Sequence, residues 1–267
     1  MTTNTAEIIE TGSITVDHAE LEQKVKSMYR DVAMNPQGEF HFEMGRVLAE
    51  RLGYAQEDLD RIPADAIESF AGVGYYFDLA NLQPGERVVD FGSGSGMDTF
   101  IASLKAGESG AVTGVDMTDE QLRKAQTLRN LNGFQNVSYV KGYIQATRLA
   151  DSQFDVVISN GVINLAADKL EVFKEAARIL KTGGRLAISD IVTETRLPEN
   201  ISCNTNLWAA CIGGAQQEDV YIQAIKDAGF AVEVVRNNPE YHFISKGAKW
   251  ATDTFGVKSI SILARKI

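Results

Sequence analysis

Short apolar runs alternate with amphipathic stretches along the middle of this chain. The runs at 88–90, 110–116, 136–141, 154–160 and 184–190 read as five strands, several rich in valine and isoleucine. Helical spacing fills the gaps. Between 169 and 180, Leu170, Phe173, Ala176, Ala177 and Leu180 share one face. Strands alternating with helices at this pitch predict a doubly wound, mostly parallel α/β sheet. The tail adds a helix over 218–228 and strands over 230–235 and 257–264, for seven strands in all with an antiparallel C-terminal edge. Residues 1–82 read as an N-terminal helical cap. There Leu21, Val25 and Met28 share a face, and so do Phe42, Met44, Val47, Leu48 and Leu52. Residues 83–267 form the core, with a helical insert near 195–215, centred on 204–212.

Where the first strand ends, the chain reads Asp90-Phe-Gly92-Ser93-Gly94-Ser-Gly96-Met97-Asp98. A strand, a glycine loop and a helix start present backbone amides and a helix dipole to an electron-rich ligand. A dinucleotide fingerprint, G-x-G-x-x-G, would need glycine where Met97 stands. The second strand ends in Asp116, 24 positions after Gly92, placed to accept hydrogen bonds from ribose hydroxyls. Met117 follows it. Thr118 with Gln121 three residues on reads as a capping box opening the next helix.

Composition narrows the field. The chain has 267 residues, 44% hydrophobic and 23% charged, with a formal net charge of −10. The acidic balance disfavours a nucleic-acid backbone as partner. No run approaches the ~18 apolar residues that span a bilayer, and the first residues lack the parts of a signal peptide. A cytoplasmic protein with reduced thiols is expected, since two cysteines cannot frame a disulfide scaffold. His18, His41 and His242 have no ligand spacing, so no metal is expected. The oligomeric state is left open.

The order D-x-G-x-G-x-G resembles the first motif of class I (Rossmann-like) S-adenosylmethionine-dependent methyltransferases. Within them, Gly53-Tyr-Ala-Gln-Glu-Asp-Leu59, Gly114-Val-Asp-Met-Thr118, Ser159-Asn-Gly-Val-Ile-Asn-Leu165 and Leu207-Trp-Ala-Ala-Cys-Ile-Gly-Gly-Ala215 are similar, in the same order, to arsenite methyltransferases over roughly residues 20–230. The resemblance implies S-adenosylmethionine as cofactor. It places the methionine and ribose part beside Gly92, Ser93, Gly94 and Gly96, with Asp90 anchoring the loop by accepting backbone amides. It places the sugar on Asp116 beside Met117 and Gln121, and the adenine by Ile144 and Gln145. Asn160 falls at the methionine end, where it also reads as a turn-forming residue before Gly161. Tyr29 matches a tyrosine that closes over the cofactor, and reads equally as an exposed amphipathic residue. Tyr75, Tyr76 and Phe77 fit either a ring face for the sulfonium or plain core packing.

The departures bear on the acceptor. Arsenite methyltransferases hold trivalent arsenic with cysteine thiolates. Val73 or a neighbour stands at one such position and Gly161 at a second, while Cys211 matches the third. Cys203 lies eight residues away from Cys211. On one helix the two would be ~12 Å apart, too far to share an atom. The expected reaction is therefore methyl transfer to a small organic metabolite, as in the quinone C-methyltransferases. Arsenite is the alternative, and a nicotinamide-dependent oxidoreductase or a non-catalytic cofactor sensor are readings of other classes. Cys211 is the candidate facing the acceptor, and Asp190, ending the fifth strand, is the candidate base.

Overall fold

A computed structural model of the chain describes residues 18–202 and 212–267. Five parallel strands form its centre: β1 (Arg87–Phe91), β2 (Ala111–Asp116), β3 (Val137–Lys141), β4 (Phe154–Asn160) and β5 (Leu180–Thr193). A two-residue strand, β6 (Gln216–Gln217), pairs with the end of β5. Then β7 (Phe230–Asn237) and β8 (Lys258–Lys266) close the sheet in the order β3-β2-β1-β4-β5-β8-β7, with β8 antiparallel to both its neighbours. The seven expected strands are all present. β1 and β4 are buried on both faces along most of their length because helices cover both. β7 instead has one buried residue, Phe230, and then alternates half-buried and exposed positions, as an edge strand does.

The crossover helices are α6 (Met97–Ala106), α7 (Asp119–Asn132) and α8 (Lys169–Ile179), followed after β6 by α10 (Glu218–Asp227). Ahead of β1 lie α1 (His18–Met34), α2 (Arg46–Leu52) and three short helices, α3 (Gln56–Leu59), α4 (Ala64–Glu68) and α5 (Phe77–Ala80). A short α9 (Glu199–Ser202) marks the start of the expected insert, whose centre at 204–211 lies outside the described residues. No described helix is long and apolar enough to cross a membrane.

Two expectations fail in detail. Phe42 and Met44 are not on a helix with Leu48. Gly45, at φ +83°, breaks the run, α2 starts at Arg46, and Val47 is 76% exposed. A helix also stands where none was expected, α11 (Lys246–Phe255), between the last two strands. Ser245 caps it by accepting from the Ala248 amide at 3.1 Å, and Gly256 ends it at φ +64°.

The cap is continuous with the core. Leu48, Tyr54 and Ile67 from the cap share one buried cluster with Val88, Phe100 and Ile158. The carboxyl ends of β1, β2, β3 and β4 open beneath this layer, which is where open α/β sheets bind ligands.

Candidate cofactor site

The loop from β1 to α6 is shaped by what its neighbours leave no room for. Gly92 sits at φ +73°, and a Cβ there would lie 2.4 Å from Val162 Cγ2. Gly96 sits at φ +97°, and a Cβ there would lie 2.3 Å from the Tyr139 hydroxyl. No other residue meets both constraints. The tip of β2 then holds the loop. The Val115 carbonyl accepts from the Gly92 amide at 2.8 Å and the Ser93 amide at 3.1 Å. One Asp116 oxygen accepts from the Gly94 amide at 2.9 Å, and the other from the Thr118 amide at 2.8 Å. Burial raises the Asp116 carboxyl above its ordinary range, and these amides pull it back.

The loop floors a cavity of about 320 Å³. All twelve residues singled out for the cofactor line it: Tyr29, Asp90, Gly92, Ser93, Gly94, Gly96, Asp116, Met117, Gln121, Ile144, Gln145 and Asn160. Several do so by a route other than the one expected. Asp90 accepts the Thr99 hydroxyl of α6 at 2.6 Å, not backbone amides. Ser93 packs its hydroxyl over Gly114, where an added Cβ would lie 2.7 Å from it. Thr118 stands at the N-cap of α7, but its side chain does not cap the helix. Gln121, expected in a capping box, instead donates to the Tyr29 carbonyl at 2.8 Å and accepts from the Ser95 hydroxyl.

Asp98, in the first turn of α6, is a residue that the pattern of the sequence did not single out. Its carboxylate is buried at the cavity wall. Oδ1 accepts from the Tyr54 hydroxyl at 2.8 Å. Oδ2 accepts from the Tyr76 hydroxyl at 2.6 Å and from Asn160 Nδ2 at 3.1 Å. Asn160 also donates to the Gly74 carbonyl at 3.0 Å and accepts the Val73 amide at 2.8 Å. The strand tip is thus bolted to the segment before α5. An acid in the first turn of the helix that follows a glycine loop is the local signal for Asp98; nothing local marks Tyr54. Tyr75, Tyr76 and Phe77 pack in the core and do not line the cavity, so no sulfonium face comes from them.

The chemistry expected of Asp190 is not available to it. It is 1% exposed and does not line the cavity. Its oxygens accept from the Asn164 amide at 2.8 Å, the Asn164 side chain and the Tyr221 hydroxyl at 2.7 Å. Cys203 and Cys211 lie outside the described residues. Val73 and Gly161, at the two other positions in question, do meet. A Cβ on Gly161 would lie 3.1 Å from Val73 Cγ1. Among the described residues no group of His, Cys, Asp and Glu could hold a metal ion.

Helix α1 roofs the cavity with Leu21, Glu22, Val25 and Tyr29. At one end the Tyr143 hydroxyl donates to Glu22 at 2.7 Å and accepts from Lys26 at 3.0 Å, with the Lys26 ammonium 5.0 Å from the ring centre. Hydrogen bonds from Lys26 and Tyr143 hold the Glu22 carboxyl below its ordinary range. At the other end, Lys124 on α7 donates to the Ser69 hydroxyl at 2.8 Å and the Ala33 carbonyl at 3.4 Å. Among the described residues, the charged side chains lining the cavity are Glu22, Asp90, Asp98 and Asp116; none is basic.

Residues 82–229 match a family model described as a methyltransferase domain. The arsenite methyltransferase of Halobacterium salinarum is 39% identical over 198 residues, covering 74% of this chain and 50% of that protein. A ubiquinone/menaquinone biosynthesis C-methyltransferase, UbiE, of Pasteurella multocida is 36% identical over 116 residues, 43% of each. Among solved structures, CrArsM, an arsenic (III) S-adenosylmethionine methyltransferase from Chlamydomonas reinhardtii, superposes with a TM-score of 0.61 at 29% identity, covering 84% of this chain and 74% of that one. The chain spans about half the length of the curated relatives it matches.

Proposed function

Since this chain belongs to the methyltransferase-domain family, we propose that it transfers a methyl group from S-adenosylmethionine to a small organic acceptor. The observation that carries this reading is the charge of the cavity. A glycine loop opens it, yet among the described residues the acidic and basic side chains that line it are all carboxyls. A dinucleotide would bring its pyrophosphate against those carboxyls with no arginine or lysine among the described lining residues to meet it. A nucleoside bearing a positively charged tail is complementary to them. The residues fit such a ligand. Val162 and Tyr139 fill the space where a Cβ on Gly92 or Gly96 would stand, which fixes the course of a loop whose backbone lines the cavity and can meet a sugar there. Asp116 has a carboxylate held at the rim by two amides, with lone pairs left for hydroxyls. Gln145 offers a carbonyl and Ile144 an apolar surface for the base.

Bound there, the cofactor supplies a methyl group activated by positive sulfur. The chain supplies position and dryness. Phe70, Ala71, Val162 and Leu165 give the acceptor side an apolar wall, which excludes water from the nucleophile. Orientation alone accounts for about 7–11 kcal/mol of barrier in favourable cases. With Asp190 saturated and away from the cavity, proton removal is left to the acceptor itself. A thiolate, phenolate or enolate arrives ready.

Arsenite is the second reading, favoured by the 39% identity to the Halobacterium salinarum protein. Against it stands the meeting of Val73 with Gly161, at the place where the resemblance would bring two thiolates together. Calorimetric titration with S-adenosylhomocysteine and with NADH, followed by turnover with methyl-labelled cofactor, tests the choice. We expect the homocysteine derivative to bind, NADH not to, and label to pass to a phenol, enol or thiol panel. Binding of NADH alone overturns the family of reactions. Label passing only to arsenite in the presence of thiol overturns the acceptor.

A further inference from the structure

Side chains from other elements hold helix α1 near its C-terminal end. Ser69, just after α4, donates to the Val32 carbonyl at 3.3 Å, and Lys124 on α7 donates to the Ala33 carbonyl at 3.4 Å. Those carbonyls belong to the last turn of α1, where a helix leaves its carbonyls without partners of its own. Ser69 and Lys124 therefore supply what any helix end requires. Gln121 on α7 supplies something else. It donates to the Tyr29 carbonyl at 2.8 Å, more than a turn before the end at Met34, where the helical ladder already brings the Ala33 amide to that carbonyl. The bond falls on the second lone pair of a satisfied acceptor, so α1 does not need it in order to end.

The other half of the Gln121 carboxamide reaches the floor of the cavity. Oε1 accepts from the hydroxyl of Ser95, which stands between Gly94 and Gly96 in the glycine loop. A Cβ on Gly94 would lie 3.7 Å from the same oxygen. Gln121 is 2% exposed and Ser95 5%, so both bonds lie out of water, where a polar group left unmatched is costly. A carboxamide turned end for end would set its oxygen against the Tyr29 carbonyl, so its direction is fixed. Ser95, Gln121 and Tyr29 all line the cavity. One path, from loop hydroxyl to carboxamide to helix carbonyl, joins the floor to the roof. Resting on the cofactor reading above, we infer that Gln121 is a positioning residue that passes the state of the glycine loop to α1, so that a ligand setting the loop also fastens the roof over itself. Coupling of this kind is reciprocal: a fastened roof tightens ligand binding by the factor by which the ligand steadies the roof. Leu21 and Val25 of the same helix pack in one cluster with Leu165, so the apolar wall on the acceptor side takes its shape together with the roof.

Two substitutions cut the path at different points. Ser95→Ala cuts it at the loop and leaves the Gln121–Tyr29 bond in place. Gln121→Met keeps the length of the side chain and removes both bonds. Hydrogen exchange of the α1 amides is followed with and without saturating S-adenosylhomocysteine, whose dissociation constant is measured by calorimetry. In the wild type we expect the ligand to slow exchange across α1, both by touching the roof and through Gln121. In Ser95→Ala, exchange without ligand stays within about twofold of the wild type, the slowing by ligand shrinks by about three- to tenfold, and the dissociation constant rises by the same factor. In Gln121→Met, α1 exchanges faster even without ligand. The double variant binds S-adenosylhomocysteine no more weakly than Gln121→Met alone, because a single path is cut twice. A residue that merely packed would change exchange without ligand and leave untouched what the ligand adds. Full slowing by ligand in Ser95→Ala, or losses that add in the double variant, overturn the inference while the cofactor reading stands. If the wild type does not bind S-adenosylhomocysteine, the cofactor reading itself has failed. Should Gln121→Met not fold, Ser95→Ala decides alone by the slowing that it retains.

Discussion

Asp90 closes strand β1 in a position that is 2% exposed, and that burial, with Asp98 nearby, pushes its carboxyl from an ordinary 3.8 up to about 8. Thr99 opposes the shift by donating to it. The folded chain therefore keeps a proton that the unfolded chain has lost, between about pH 4 and pH 8. Unfolded Asp90 binds fewer protons throughout that window, so stability is greatest below it and falls as pH rises through it. Asp98 and Asp116 are raised too and act in the same direction. Lys169, lowered to about 8 by burial, has the opposite sign. It makes stability recover above pH 8 as the unfolded lysine alone stays charged. Urea melts of the free protein should lose about 4 kcal/mol between pH 5 and pH 8, and Asp90→Asn should flatten that slope. A slope unchanged in Asp90→Asn would show that this carboxyl ionises normally. At this scale the sequence marked what repeats in any such loop: the glycines, Asp90 and the acid at Asp116. It did not mark Asp98, whose partners Tyr54, Tyr76 and Asn160 are 44, 22 and 62 positions away, because only the folded chain brings them together.

Strands were the legible elements, and helices at the margins were not. β1 and β4 are buried along nearly their whole length, because helices press on both faces, and their apolar runs stand out in the sequence for that reason. The segment from Phe42 to Leu52 has helix-like apolar spacing, yet Gly45 at φ +83° breaks it, and Phe42 instead stacks on Tyr29 of α1, with Phe40 and His41 packed against Phe42 in turn. The short 3-10 turn at Ile163–Leu165 shows how an element borrows its position. Asp190 at the end of β5 holds Asn164 by its amide and its side chain, while Tyr221 from α10 holds Asp190. That turn carries Leu165 to the cavity wall, and Val162 just before it presses on Gly92. An acid at a strand tip looks like a base in the sequence; here it is a peg for the neighbouring loop. Asp190→Ala should cost about 2–4 kcal/mol in urea unfolding, since buried donors lose their acceptor. Asp190→Asn, where it folds, should keep the pH profile of kcat unchanged. A kcat that falls at least a hundredfold with unaltered stability would return Asp190 to the role of base.

Cap and core behave as one body in this molecule, because Leu48, Tyr54 and Ile67 share their buried cluster with Val88, Phe100 and Ile158. The division at residue 82 is a division of sequence pattern and not of packing. The roof of the cavity comes from α1, its floor from the loop at the end of β1, and its far wall from the turn after β4, so a ligand inside touches every part that must stay assembled. This predicts one cooperative melting transition. S-adenosylhomocysteine at a hundred times its dissociation constant should add about 2.7 kcal/mol, which for a chain of this size raises Tm by about 5–10 °C. Arsenite with excess thiol should leave Tm where it was, since the valine at 73 and the glycine at 161 meet without a sulfur between them. Two transitions would separate the cap from the core. A rise with arsenite as large as that with the nucleoside would mean that thiols elsewhere in the chain gather the metalloid, and the organic acceptor would give way to it.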